Sequence, residues 1–280
     1  MVKGLLPKRH CCTVREVEMP TNTAPDIRTQ QQLADWFMTP LGQAMLTQQQ
    51  ALVEACIQGS FGARQLECGL VPQLSLVGHH NSWLQWQAVT TGDCTRDPVH
   101  SPLLCLHQEL PFQDDDLDLV VLHHSLDLSH CPHRVLREAA RVLRPGGQLL
   151  LVGFNPWSLW GLRRTLGRAR TMPWSAGFLR AHRLTDWMRV LDFAVDRPRY
   201  QFFRPPTQNP RLLSRLAFME PLSDHGGALP WGAFYVLCGE KRQSATLRLK
   251  REWQQRSKVV AMPLANGQAS RYRQPQDRNQ

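Results

Sequence analysis

The chain has 280 residues, a formal net charge of +10 at pH 7 and an apolar fraction of 42%. That is enough for one well-buried domain of roughly 200 residues with extensions. A membrane span is excluded, because the longest apolar runs, LDLVVL at 117–122 and QLLLVGF at 148–154, are strand-sized against the ~18 residues that a spanning helix needs.

The opening MVKGLLPKRHCC lacks the hydrophobic segment of a secretory signal, which reads as a cytoplasmic protein. Eight cysteines without a C-x-x-C pattern suggest reduced thiols, neither a disulfide framework nor a zinc ribbon. The charge is unevenly spread. Residues 241–280 carry ten Lys or Arg against Glu252 and Asp277, a net of +8, which leaves +2 for residues 1–240.

In chain order, residues 1–25 show no periodicity and read as a poorly ordered lead-in to a domain over 26–241. From Gln30 to Gln58 the apolar residues fall at helical spacing, interrupted at Thr39-Pro40, which predicts two helices. A short strand follows at 64–68, then an ambiguous QLSLVG at 73–78 and an apolar strand near 102–106. Residues 110–154 read more sharply: LPF, an acidic turn at Asp114 to Asp116, a buried-type strand LDLVVL, a helix over 132–143 stopped by Arg144-Pro145-Gly146-Gly147, and a second apolar strand. Two such strands joined by a helix make a βαβ crossover and so a parallel sheet covered on both faces. Beyond lie a Trp- and Arg-rich segment at 155–180, a helix at 183–193, a strand, a Pro-bounded helical stretch at 208–219, a last strand at 231–241 and a polar, basic tail at 242–280.

Residues 109–154, ELPFQDDDLDLVVLHHSLDLSHCPHRVLREAARVLRPGGQLLLVGF, resemble the central stretch of class I S-adenosylmethionine-dependent methyltransferases of type 11, the group that includes ubiquinone and menaquinone biosynthesis enzymes. The shared features are LPF, acidic residues, a D-x-V strand, a loop histidine and LREAxRVLxPGGxLLL. A weaker likeness continues through RLTDWMRVLDFAVDRPRYQ. The resemblance implies an α/β, Rossmann-like class I methyltransferase fold: a seven-stranded, mostly parallel sheet with helices on both faces and a reversed last strand. Strands are then expected at 64–68, within 73–90, and at 102–107, 117–122, 148–154, 194–203 and 231–239.

The resemblance also implies S-adenosylmethionine as cofactor and a small-molecule methyl acceptor; nucleic acid is not favoured, because residues 1–240 carry only +2. The family's first strand ends in E/D-x-G-x-G-x-G, whereas this chain reads LECGLVPQ at 66–73. Glu67 and Gly69 match, while Val71 and Gln73 replace the later glycines. The acid that usually grips the ribose after the second strand has no counterpart between Glu67 and Asp93, and the acid near the adenine is replaced by Leu106. By position, the cofactor-binding candidates are Glu67, Cys68, Gly69, Leu106, His107 and His123. The candidates at the reacting centre are His123 and His124, which follow the fourth strand.

The cluster of His123, His124, His130, Cys131 and His133 reads as loop and helix-start residues, with no metal expected. Trp157, Trp160 and Trp174 with Arg163, Arg164, Arg168 and Arg170 fit either a lid over a substrate pocket or a packed amphipathic helix. The degenerate loop leaves open a cofactor-free, methyltransferase-like binding protein. The basic tail leaves open an RNA methyltransferase.

Overall fold

A computed structural model describes residues 27–58, 63–71, 73–78, 84–90, 101–166, 172–207, 211, 215 and 230–242. The lead-in, the tail and most of the helical stretch at 208–219 lie outside the described residues. Two helices open the domain, α1 (Ile27–Phe37) and α2 (Pro40–Ile57). Between them Thr39 caps α2 by accepting the Gly42 N–H and returns its own hydroxyl proton to the Trp36 carbonyl at 2.7 Å. Gly42 is required there, because a Cβ would run into the Trp36 carbonyl.

The sheet is built from β1 (Arg64–Cys68), β2 (Leu84–Val89), β3 (Ser101–Leu104), β4 (Leu117–His123), β5 (Leu143–Phe154), β6 (Phe193–Val195), β7 (Arg199–Gln201) and β8 (Phe234–Lys241). Its order is β3-β2-β1-β4-β5-β8-β6, with β7 also on β8. The first five strands run parallel and β8 is antiparallel to β5. The strand expected at 194–203 is interrupted, which yields eight strands where seven were anticipated. No helix of the described residues is long and apolar enough to cross a membrane.

Strand alternation divides the core into two layers. Leu119 and Val121 of β4 join Leu150 and Val152 of β5 in a cluster with α1 and α2, while Val120 and Leu122 join Leu149 and Leu151 in a cluster with α4 (Pro132–Val142) and α6 (Ala181–Val190). The LPF turn is clamped onto α4. Glu138 accepts the Leu110 N–H at 2.9 Å, and Arg141 donates to the carbonyls of Leu110 (3.1 Å) and Phe112 (3.0 Å). The motif's LPF and RExxR portions are thus two halves of one fastening. The acidic turn is ion-paired: Asp114 with Arg141, Asp115 with Lys241 and Asp116 with Arg64.

The described residues between β1 and β2 (69–71 and 73–78) contain no helix. Leu70, Val71, Leu74, Leu76 and Val77 instead form a buried loop in the same cluster as Met45, Leu46 and Val53 of α2. The ambiguous QLSLVG is therefore neither strand nor helix: its apolar residues cover one face of the sheet as loop.

Candidate functional site

In open α/β sheets ligands gather at the carboxyl ends of the strands. At the end of β1, Glu67 is 1% exposed and turns onto its own loop. Its carboxylate accepts the Ser75 hydroxyl at 2.7 Å and the Leu76 N–H at 2.8 Å. Burial pushes this carboxyl above its usual range, and the bonds from Ser75 and Leu76 pull it back. The Cys68 carbonyl accepts the Ser125 hydroxyl at 2.7 Å, and the Gly69 N–H is spent on the Ala88 carbonyl at 3.0 Å. Beside Gly69, Oε1 of Gln87 is buried without a hydrogen-bond partner. At the end of β2, Thr90 stands near where the ribose acid was looked for, and its hydroxyl is bonded to Oε1 of Gln30 from α1.

Past β3, Leu106 and His107 line a cleft with Gln30, Gln108, Ser125, Ser129 and Val135. Its cavity volume is only about 10 Å³, room for about one water molecule and far below the ~300–1,000 Å³ of ordinary ligand pockets. Nε2 of His107 donates to the Ala88 carbonyl at 3.2 Å, which leaves Nδ1 its lone pair. Burial holds this imidazole neutral by pulling its pKa down to about 4.

After β4 the chain turns at His124, whose φ of 52° is left-handed. His123 and His124 are both fully buried, and a buried amide joins them. Nε2 of His123 donates to Oε1 of Gln49 (3.2 Å), Nε2 of Gln49 donates to Nε2 of His124 (3.0 Å), and Nδ1 of His124 donates to Oδ2 of Asp127 (2.9 Å). The same oxygen accepts the Phe154 N–H at 3.0 Å. Burial lowers both imidazoles and raises Asp127, so the chain carries no imidazolium at neutral pH. Phe154 stacks on His124 with ring centroids 4.0 Å apart.

The cleft thus brings Leu106 and His107 together, and Ser125 links it to Cys68. Glu67, Gly69, His123 and His124 lie outside its lining. Sequence reasoning missed Gln49, Asp127, Ser125 and Gln30. Gln49 had a signal, a polar residue within the apolar stripe of Met45, Leu46, Leu52 and Val53. Of the tryptophans, Trp160 and Trp174 are buried and stacked 6.0 Å apart, while Trp157 is 64% exposed. His133 stacks on Trp187 at 3.6 Å.

The sheet order and strand directions define a Rossmann-like class I methyltransferase fold, and residues 89–151 match the family described as "Methyltransferase domain", type 11. In its curated matches the chain is similar to the uncharacterized protein YafS of Escherichia coli strain K12, 40% identical over 35% of this chain and 38% of that protein. It is also similar to phthiotriol/phenolphthiotriol dimycocerosates methyltransferase 1 of Mycobacterium ulcerans, 46% identical over 18% of each chain. The chain therefore spans well under half the length of these relatives. Among solved structures, a SAM-dependent methyltransferase of Thermotoga maritima, described as a possible histamine N-methyltransferase, superposes with a TM-score of 0.60 at 21% identity, over 77% of this chain and 97% of that one.

Proposed function

We propose that the chain is an S-adenosylmethionine-dependent methyltransferase acting on a small-molecule acceptor. The observation that carries this reading is the match of residues 89–151 to the methyltransferase family on a sheet of class I order; Leu106, His107, Gln108 and Ser125 gather at the strands' carboxyl ends, where open α/β sheets receive ligands. The residue types there suit the adenine end of the cofactor, a neutral His107 for an exocyclic amine and Leu106 and Val135 for the ring faces, and a cavity of about 10 Å³ requires these side chains to move apart before the ring enters. The methionine end fits less well. Every contact described for the Glu67 carboxylate goes to its own loop, and the other candidates there, Cys68 and Gly69, have their backbone groups engaged. When bound, the cofactor supplies a methyl group on a sulfonium, a good leaving group, so alignment and exclusion of water suffice for the protein's part. His123 and His124, sealed from solvent, act as positioning residues that hold the end of β4 through Gln49 and Asp127.

Calorimetric titration of the full chain with S-adenosylmethionine and S-adenosylhomocysteine tests this. Binding that weakens at least tenfold in His107→Phe is expected. Absence of heat and of any thermal shift at millimolar ligand would sink it.

The loop of Leu70, Val71 and Leu74 favours a second reading, a methyltransferase-like binding protein without the cofactor, since these side chains are buried where the glycine loop was expected. The same titration separates the two. RNA methylation through the basic tail rests on residues outside the described ones. Deletion of 242–280 that leaves salt-sensitive RNA binding intact would reject it.

A further inference from the structure

The chain leaves β5 through Asn155, a buried residue whose side chain ties two segments together. Its Nδ2 donates to the carbonyls of Pro230 (2.7 Å) and Gly232 (2.8 Å), and its Oδ1 accepts the Trp157 N–H (3.1 Å). Trp157 and Trp231 are thereby anchored through one amide, and each is 64% exposed. The next element, α5 (Leu159–Leu166), exposes Leu159 and Leu162 by 51% and Leu166 by 78%. At 100° per residue these three leucines fall within about 60° of one another. Trp160 and Gly161, both buried, hold the opposite side of the helix to the domain. Nε1 of Trp160 donates to the Arg204 carbonyl at 2.9 Å, and Gly161 lies against the Pro156 backbone. The leucine face is thus directed away from the core by a fastened helix. Four large apolar side chains within ten residues, with Trp231 tied to them through Asn155, form a patch that surface residues scattered singly do not.

The charge along this stretch of sequence is of one sign. Residues 155–183 contain Arg163, Arg164, Arg168, Arg170, Arg180 and Arg183 and no Asp or Glu. The guanidinium of Arg180 lies 5.2 Å from the Trp157 ring centre, and that of Arg163 lies 4.5 Å from the ring of Trp174. Among the described residues none of Arg163, Arg164, Arg180 and Arg183 is ion-paired, whereas Arg64, Arg134, Arg141, Arg144, Arg189 and Lys241 are. Exposed indoles, a leucine stripe and flanking arginines without acids are complementary to the boundary between headgroups and acyl chains of an anionic bilayer. There an indole sits at the interface, leucines enter the acyl region and guanidinium groups meet lipid phosphates.

We propose that Trp157, Trp231 and the Leu159/Leu162/Leu166 face of α5 dock the domain onto an anionic membrane surface. Asn155 follows β5 and Phe234 opens the antiparallel β8, so the patch stands at the carboxyl edge of the parallel strands, where the cleft also lies. Docking therefore turns the ligand edge toward lipid, and the acceptor class is one dissolved in the bilayer. This last step rests on the methyl-transfer reading; the docking does not.

The test mixes the full chain with phosphatidylcholine vesicles, plain or with about one third phosphatidylglycerol. Co-sedimentation with the anionic vesicles alone is expected, about tenfold weaker in Leu162→Ser/Leu166→Ser. Tryptophan emission should be quenched by lipids brominated in the acyl chains, and Trp157→Phe/Trp231→Phe should lose that quenching, which binding through the basic tail would not provide. Partition unchanged in the leucine variant, or quenching unchanged in the tryptophan variant, would overturn the proposal. So would dimerisation that the leucine variant abolishes without any vesicle binding, which would assign the face to a second copy of the chain. Exposed positions are chosen so that an unaltered melting temperature certifies folding.

Discussion

Oδ2 of Asp127 lies 2.9 Å from Nδ1 of His124 and 3.0 Å from the backbone nitrogen of Phe154, so one buried oxygen joins the loop after β4 to the end of β5. Asp127→Ala strands both donors without water to replace the carboxylate. A loss of about 1–3 kcal/mol for each stranded donor is expected, the usual consequence of leaving a buried polar group unsatisfied. Asp127→Asn keeps the shape and one acceptor and should lose about 1–3 kcal/mol. Urea unfolding at constant m-value measures both. Equal stability of the alanine variant would mean that the oxygen joins nothing.

Gln49 is the only described residue hydrogen-bonded through its side chain to both imidazoles. Gln49→Leu should cost about 1–3 kcal/mol, since each ring then loses a partner that burial prevents water from supplying. A cycle with His124→Phe should give a coupling of about 0.5–3 kcal/mol, because the two changes remove the same bond. Additive losses would show that amide and imidazole act separately.

The acid sensitivity contributed by His107 follows from its burial. Its folded pKa of about 4 lies below the ordinary 6.5. As pH falls below 6.5 the unfolded chain takes up a proton that the folded chain refuses until about 4. Stability fully present above that window is therefore lost across it, by up to about 3 kcal/mol at ~1.4 kcal/mol per pH unit. His107→Gln should flatten the stability profile relative to the parent between those limits. Parallel profiles would show that the imidazole titrates alike in both states.

Gly161 allows α5 to lie against Pro156, since an added methyl would run into the Pro156 carbonyl. Gly161→Ala should lower stability by about 1–3 kcal/mol through overpacking. Protease sensitivity of the 155–180 segment should rise with it, while the exposed Leu162→Ser leaves both unchanged. Unfolding curves and limited proteolysis read the two effects, and an unaltered cleavage pattern in Gly161→Ala would detach the helix position from this contact.

The legible part of the fold was the part where periodicity and punctuation agree. The α4 pattern, Pro132 at its start and the Pro-Gly-Gly turn after it predicted a helix over 132–143, and the structure forms Pro132–Val142. The 73–78 stretch was opaque because apolar residues signal burial without saying in which backbone form: Leu74, Leu76 and Val77 are buried as loop. Around the site, position along the chain pointed to Leu106 and His107, which do share a cleft. Contacts that depend on a distant partner left only faint traces in composition. Asp127 reads as any loop acid until Phe154 and His124 are seen to converge on it, and the tryptophans at 160 and 174 reveal their inward packing only in three dimensions.

β8 pairs with β5, β6 and β7, and Lys241 at its end donates to the carbonyls of Ala140 and Leu143 at the junction of α4 and β5. Nearly the whole domain must be synthesised before that strand emerges. Until then the edge of β5, with Leu149 to Val152 already patterned for burial, has no partner within its own chain and can recruit another. Assembly is thus governed from the carboxyl end. A chain cut before residue 234 loses the strand that seals the sheet and becomes a nucleus for aggregation, whatever the quality of the elements that precede it.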